Sequence, residues 1–280
     1  MDVVSDAIGA VRVGSPSSDR LRVSGEWAVR LPPYEGAGFH VVLGGTCRLL
    51  RDGDGDPVLL GPGDVALLPH GAGHALMSVR DGGEVELLCG KYRLDRSRAH
   101  PLMAELPQVV HLPHRIGEQP ELRAAVDLLA RELEEQRPGG PLALPSLLDL
   151  LLVYMVRAWM GRARTGAWPA VLNDPVTTAA LRALHSEPAA PWTAERLAAE
   201  AGVSRATLAR RFTALVGRSP MAYLTWWRLT LAAARLRDSD APLATVARET
   251  GYGSPYALSH AFRREFGITP GRYRNRHAAS

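Results

Sequence analysis

From Leu21 to Leu94 the chain runs as short apolar segments cut by Gly, Pro and Asp. Trp27-Ala-Val-Arg-Leu, Phe39-His-Val-Val-Leu, Thr46-Cys-Arg-Leu-Leu, Pro57-Val-Leu-Leu, Val65-Ala-Leu-Leu and Glu84-Val-Glu-Leu-Leu-Cys89 are such runs. Runs of this length, rich in Val and separated by Gly-Asp turns, predict the strands of a β-sandwich or barrel. Residues 1–20 are poor in apolar side chains and are expected to be a flexible N-terminus. After Pro101 and Pro107 the period changes. His111-Leu-Pro-His114 lacks Cys or carboxylate partners at useful spacing and is expected to be a loop rather than a ligand pair. Leu122, Val126, Leu129 and Leu133 then follow helical spacing over Glu121–Gln136. Pro138-Gly-Gly-Pro141 interrupts the pattern, and a second helix is expected over Leu144–Arg164. Its Leu147, Leu148, Leu151, Leu152, Met155, Val156 and Trp159 occupy more than one stripe, more than a single neighbour would cover. Meeting the same helices of a second subunit would bury that surface, which predicts a homodimer through residues 118–165. The alternative packs both helices on their own barrel alone.

Residues 166–173 form a linker, and everything beyond Asp174 reads as helix. Near the end, Gly251 suits the sharp turn between two helices, and Ser254-Pro255 starts the next with a Ser cap and a Pro in its first turn. Leu258, Phe262 and Phe266 make one apolar stripe, while Ser254, Tyr256, Ser259, His260, Arg263 and Arg264 lie away from it. The pattern occurs twice. Leu208, Phe212, Gly217, Pro220 and Tyr223 return as Leu258, Phe262, Gly267, Pro270 and Tyr273, each 50 positions on. Leu197-Ala198 and Gly202-Val203 return as Val246-Ala247 and Gly251-Tyr252 at an offset of 49. Two copies of one helix-turn-helix account for this. In the first copy Arg205, Thr207, Arg210 and Arg211 face away from the Leu208/Phe212 stripe. Arg can donate twice to guanine in the major groove, and Thr can meet a thymine methyl or a phosphate. A long helix over Met221–Arg237, burying Leu224, Trp227, Leu231 and Ala234, should set the distance between readers. If it is rigid, both enter successive major grooves on one face, about 34 Å apart.

Charge supports this division. Residues 174–280 carry 15 Arg against 8 acidic residues, +7, and residues 1–173 carry 18 basic against 21 acidic, −3. Only the C-terminal part is equipped for phosphates. The chain has no uninterrupted apolar run of 18 residues and no basic-then-apolar start, so a cytoplasmic protein with no membrane partner is expected. Two Cys in 280 residues do not make a disulfide scaffold.

The ending Gly-Tyr…Phe-Arg-Arg-Glu-Phe-Gly-Ile-Thr-Pro…Tyr-Arg274 resembles the AraC/XylS family of bacterial transcription regulators. The resemblance implies seven helices in two subdomains over 174–280, double-stranded DNA as partner, RNA polymerase as a second partner, and activation as the commoner outcome. The sequence departs at Pro255-Tyr-Ala, where the family carries Ser-Tyr-Phe. Residues 61–74, with Gly63, Pro69, Gly71 and His74, resemble the second signature of cupin barrels. That resemblance implies an effector-sensing barrel over 21–112. The first metal signature is not intact.

His74 stands where enzymatic cupins ligate metal, and His40, His70, Cys47 and Cys89 are candidates to converge on it. Zn²⁺ or another divalent transition metal would suit such donors. Cys47 and Cys89 are alternatively a thiol pair responsive to oxidants, or plain core residues. His40 and Cys47 are an odd number apart and should face opposite sides unless Gly44-Gly45 bulges. The expected fold is thus α+β multidomain: a cupin-like β-barrel with a helical dimerisation segment, then an all-α domain with two helix-turn-helix motifs. The expected protein is a non-enzymatic DNA-binding regulator, an activator controlled by a small molecule, metal or oxidant. A cupin-type metalloenzyme fused to a DNA-targeting module is the alternative.

Overall fold

The computed structural model describes residues 3–53, 55–79, 83–94, 100–162, 170–171 and 173–278. It divides into two compact units: Val11–Arg164, and Thr165–Ser280 together with Met1–Ala10.

Among its described residues the first unit holds nine strands: β1 (Ser17–Val23), β2 (Ala28–Leu31), β3 (Ala37–Gly44), β4 (Cys47–Arg51), β5 (Val58–Leu60), β6 (Val65–Leu68), β7 (His74–Ser78), β8 (Val85–Tyr92) and β9 (Val110–Leu112). They form two antiparallel sheets, ordered β1-β8-β3-β6-β9 and β2-β7-β4-β5. Val42, Leu68 and Leu87 from the first sheet meet Cys47, Leu49 and Leu76 from the second in one apolar cluster. The opposite face of the five-stranded sheet is also covered. Phe39, Val41 and Leu88 are buried there, and the Tyr92 hydroxyl donates to the Leu148 carbonyl at 2.7 Å. Leu148 belongs to α4 (Gly140–Arg162), which packs with α3 (Pro120–Glu135) against β1, and a short α2 (Pro101–Ala104) precedes β9. A strand covered on both faces reads as a continuous apolar run, which is why Phe39-His-Val-Val-Leu does not alternate.

Four expectations are corrected here. His111 lies in β9, paired with Ala66, and donates from Nε2 to Asp64 Oδ2 at 3.0 Å. The apolar Val110 and Leu112 on either side of it need burial, and β6 supplies a free edge. Asp64 also accepts from the His114 and Gly61 backbone N–H groups. Burial alone would raise its pKa, but these donors hold the carboxyl below its ordinary value. α4 starts at Gly140, ahead of the expected Leu144, because Pro141 falls in a first turn that needs no N–H there. The N-terminal segment expected to be flexible at residues 1–20 holds, over its described residues 3–20, a helix and the start of β1. Finally, residues 21–112 and 118–162 form one unit, since the helices cover the sheet.

In the second unit α5 (Pro175–Ser186), α6 (Ala194–Glu200), α7 (Arg205–Val216), α8 (Pro220–Asp238), α9 (Leu243–Glu249), α10 (Pro255–Phe266) and α11 (Pro270–Ala278) follow one another. Asp174 caps α5 through Thr177 N–H at 2.7 Å. Of the linker expected at 166–173, residues 166–169 and 172 lie outside the described residues, while 170, 171 and 173 are helical. α1 (Val3–Val11) belongs to this unit: Val3, Val4, Ala7 and Ile8 share one face and are buried. From the same helix Asp6 Oδ2 accepts from His185 Nδ1 at 3.0 Å. With Nδ1 donating, His185 Nε2 accepts the Tyr223 hydroxyl proton at 2.8 Å, and the ring stacks on Trp227 at 4.3 Å. Asp6→Ala should remove the carboxylate acceptor of the buried His185 Nδ1–H and cost about 1–3 kcal/mol. Urea unfolding followed by tryptophan fluorescence checks this, and an unchanged midpoint would contradict it.

Candidate nucleic-acid interface and barrel cavity

The repeated sequence folds as repeated structure. Gly202 and Gly251 take φ of 68° and 76°, a left-handed turn that Cβ disfavours. Val203 N–H then bonds Ala198 O at 3.0 Å, and Tyr252 N–H bonds Ala247 O at 2.8 Å. Ser204 and Ser254 cap the following helices through the Thr207 and Ala257 N–H groups. Gly217 and Gly267 end them, again with positive φ. Phe212 meets Tyr223 edge-on at 5.6 Å, and Phe262 meets Tyr273 edge-on at 5.4 Å. α7 and α10 are therefore equivalent helices in equivalent frames.

The connecting helix α8 departs from the expected single stripe. Leu224 and Trp227 are buried, but Leu231 and Ala234 are only half-buried. Leu229, Ala233 and Leu236 instead join Val246, Leu258 and Phe262 in the second reader's core. One half of α8 packs with each reader, and its buried face turns between them. Arg228 braces the middle, donating to Pro188 O at 2.7 Å and Ala190 O at 2.8 Å.

On the open faces, Arg205, Arg210 and Arg211 from α7 and Tyr256, His260, Arg263 and Arg264 from α10 are exposed. Tyr256 is 81% exposed, unusual for a large aromatic side chain. Arg210, Arg263 and Arg264 make no ion pair among the described residues. Arg205 pairs with Glu195 at 2.9 Å and Arg211 with Asp174 at 3.4 Å. Sequence reasoning missed these acidic partners, which lie on α6 and at the cap of α5. Thr207 and Ser259 are half-buried, and Thr207 Oγ1 accepts from Ser204 Oγ at 3.0 Å. The Ser254 oxygen is committed to its cap.

In the barrel, His40 and His74 meet across the sandwich. His40 pairs with Cys89 across the β3/β8 ladder, and His40 Nδ1 is 3.1 Å from Cys89 Sγ. His40 Nε2 is 2.7 Å from His74 Nε2, and His74 Nδ1 is 2.9 Å from the Ala72 carbonyl. The carbonyl can only accept, and this fixes every proton. His74 Nδ1–H donates to Ala72 O, His40 Nε2–H donates to His74 Nε2, and the Cys89 S–H donates to His40 Nδ1. Burial, then the neighbouring His74, drives the His40 pKa down to about 3. Burial pushes Cys89 up to about 12 and Cys47 up to about 11.

A cavity of about 470 Å³ opens on this network, lined also by Leu31, Pro32, Tyr34, Gly38 and Lys91. The buried Tyr34 hydroxyl has no hydrogen-bond partner among the described residues. The five candidate ligands are not brought to one point. Cys47 is fully buried in the apolar cluster, and His70 donates from Nε2 to Leu106 O at 2.7 Å. His40 and His74 stand closer than two nitrogens of a tetrahedral Zn²⁺ shell, about 3.3 Å apart for Zn–N bonds near 2.0–2.1 Å. Cys89 touches the opposite nitrogen of His40. Among the described residues no group of three or more His, Cys, Asp or Glu is placed to hold a metal ion. For His40 and Cys47 the exception to strand parity, a bulge at Gly44-Gly45, is the case that holds. The register slips between Val42 and Gly44, and the chain changes sheet at Gly45 (φ 76°), so both side chains face the inter-sheet space.

A cupin sandwich joined to paired helix-turn-helix readers defines a DNA-binding transcription regulator. Residues 2–161 match the Cupin family and residues 197–276 the Helix-turn-helix domain family. A putative AraC-like transcription regulator of Streptomyces antibioticus is 36% identical over 98% of both chains. The RCS-specific HTH-type transcriptional activator RclR of Escherichia coli is 32% identical over 85% of this chain and 84% of its own. The solved DNA-binding domain of AdpA in complex with a target DNA is 36% identical, covering 38% of this chain and 96% of that one, at a TM-score of 0.36. The chain belongs to the AraC-like family of transcription regulators, with an N-terminal cupin domain.

Two outcomes follow from this geometry. Arg210→Ala should weaken binding by about 1–3 kcal/mol and relax one position of the site. Fluorescence anisotropy at fixed salt reads this, and unchanged affinity would contradict the assignment. His40, depressed from its ordinary 6.5 to about 3, takes up its proton only on unfolding. Its contribution to stability is complete above pH 6.5 and is lost as pH falls toward 3, by up to about 1.4 kcal/mol per unit. Chemical denaturation across that window should show the slope, and His40→Gln should flatten it.

Proposed function

We propose that the chain is a homodimeric activator whose barrel cavity binds the controlling effector. The observation that carries DNA recognition is the exact repetition of turn, cap and Phe–Tyr contact around α7 and α10. Arg205, Arg210, Tyr256, His260 and Arg263 read bases, while Thr207, Arg211, Ser259 and Arg264 hold the backbone; Ser254, expected to contact DNA, serves instead as the cap that orients α10. Arg205 and Arg211 are pre-oriented by Glu195 and Asp174, and trade those exposed pairs for DNA at little cost. Effector binding shifts the population of DNA-competent dimers, and RNA polymerase is the partner that activation requires.

Dimerisation is supported by α3 and α4. Leu148, Leu151, Leu152 and Met155 of α4 are buried, yet Leu142 is 81% exposed and Leu128 and Leu150 are 45% exposed. By length and composition α4 is apolar enough to cross a membrane, with only 28% of its most apolar stretch buried in the chain. A second copy covers what the sheet does not. Selection of bound sites from random DNA should return one sequence with two half-elements about one helical turn apart. Sedimentation at micromolar concentration should give a dimer for the native chain and a monomer for Leu150→Asp. A native monomer, or selection without a consensus, would contradict the proposal.

A further inference from the structure

We propose that Arg228 is a positioning residue for DNA recognition: it locks the second reader against the first and so fixes the one element spacing that the chain accepts. This rests on the proposed reading of one duplex by α7 and α10, and it names what sets the distance between them. Arg228 lies near the middle of α8, half-buried, where the buried face of that helix passes from one reader to the other. Its Nε donates to Pro188 O at 2.7 Å and its Nη2 to Ala190 O at 2.8 Å. The same Nη2 stands 2.8 Å from the point where a Cβ on Gly251 would lie, and Ala189 Cα stands 2.8 Å from that point too. The turn of the second reader therefore sits directly on the loop that leads into the first, and Arg228 touches both.

The two copies differ at this place. A Cβ on Gly202, the equivalent turn, would meet nothing within 4 Å among the described residues. Position 278, which is 50 beyond Arg228, holds Ala. The brace thus occurs once, at the boundary between the copies, and neither helix-turn-helix needs it for its own fold. The loop it grips is itself constrained. Ala190 N–H bonds Glu187 O at 3.1 Å, Trp192 N–H bonds Ala190 O at 2.7 Å, and Trp192 Nε1 donates to Glu187 O at 2.8 Å. Pro188 and Pro191 restrict the backbone further, and Thr193 then caps α6 through the Arg196 N–H.

α8 alone does not fix the second reader. Leu229, Ala233 and Leu236 hold it by apolar packing, which is non-directional and tolerates a roll of one body on the other. The two bonds from Arg228 are charge-assisted and directional, and they resist that roll. Burial holds the Arg228 pKa below its ordinary value, so the guanidinium has given up water and depends on these carbonyls. Two readers in one chain behave as a bivalent ligand: affinity is greatest when their separation matches that of the elements, and a stiff join suffers most from a mismatch. One inserted base pair moves an element by about 3.4 Å and turns it by about 35°. A braced pair cannot follow that change, whereas an unbraced second reader follows it by rolling on α8.

Fluorescence anisotropy at fixed salt compares the full chain on the duplex selected from random DNA with the same duplex carrying one base pair more or one fewer between its half-elements. The native chain should lose about tenfold on either change, and Arg228→Ala about twofold or less. On a duplex with a single half-element the two should agree within about twofold, because each reader is intact. Arg228→Lys cannot span both carbonyls, so it should show the same flattening and carries the test if Arg228→Ala fails to fold. Affinity ratios between duplexes do not depend on the folded fraction, so a merely structural role would leave them unmoved. Native ratios in the folded variants, or equal weakening on every duplex, would overturn the proposal. A native chain with no preferred spacing would remove the two-reader assignment and the brace with it, which keeps that failure distinct from the loss of the brace alone.

Discussion

Each of the two equivalent helices α7 and α10 is held by an aromatic interlock. Phe212 and Phe262 point inward from the recognition helices and meet Tyr223 and Tyr273 of the next helices edge-on, at nearly the same distance and angle. Such contacts add about 0.5–1.5 kcal/mol beyond the area they bury, and their directionality fixes the roll of the helix. Roll decides which side chains face outward. With Leu208 and Phe212 buried, Arg210 has nowhere to go but solvent or a groove; with Leu258 and Phe262 buried, the same holds for Arg263. The outward placement of Arg210 and Arg263 is thus a consequence of core packing. Tyr223 extends the interlock further, since its hydroxyl also reaches His185 and, through it, Asp6 of the N-terminal helix.

The barrel obeys a different constraint. Its two sheets enclose an apolar cluster, and the polar groups among them must satisfy one another. Cys89, His40, His74 and the Ala72 carbonyl do so in one line, with each donor matched to an acceptor. That line is neutral at physiological pH, because a buried imidazolium would have no counter-charge. The cavity beside this line is bordered by Cys89, His40 and His74 and also by Tyr34, whose buried hydroxyl has no partner among the described residues. Of the side chains that line the cavity, those of Asp19 and Lys91 carry charge.

Much of this was legible in the sequence because the residues that repeat are the residues that pack. The 50-residue offset linking Leu208, Phe212 and Tyr223 to their second copies survives as superposable turns and contacts. The exposed arginines follow by elimination. Less was legible where one residue's environment comes from a distant segment. Val3, Val4, Ala7 and Ile8 are too few to announce a helix, and the surface that buries them lies beyond residue 170. The meeting of His40 with His74 depends on which sheet each strand joins, and the slip at Gly44 overrides simple alternation. Glu195 and Asp174 could not be paired with their arginines from spacing alone, because the turns between the helices set those distances. Tyr34 gave no signal, since an aromatic in a Pro-rich loop is as often packing as function.

The central claim is that one chain lays two equivalent helices along one side of a duplex. Hydroxyl-radical footprinting of the full-length protein on its selected site measures this most directly. Two protected patches per protomer, about 10 base pairs apart and on the same face, are predicted. A single patch, or protection spread evenly whatever the sequence, would contradict it.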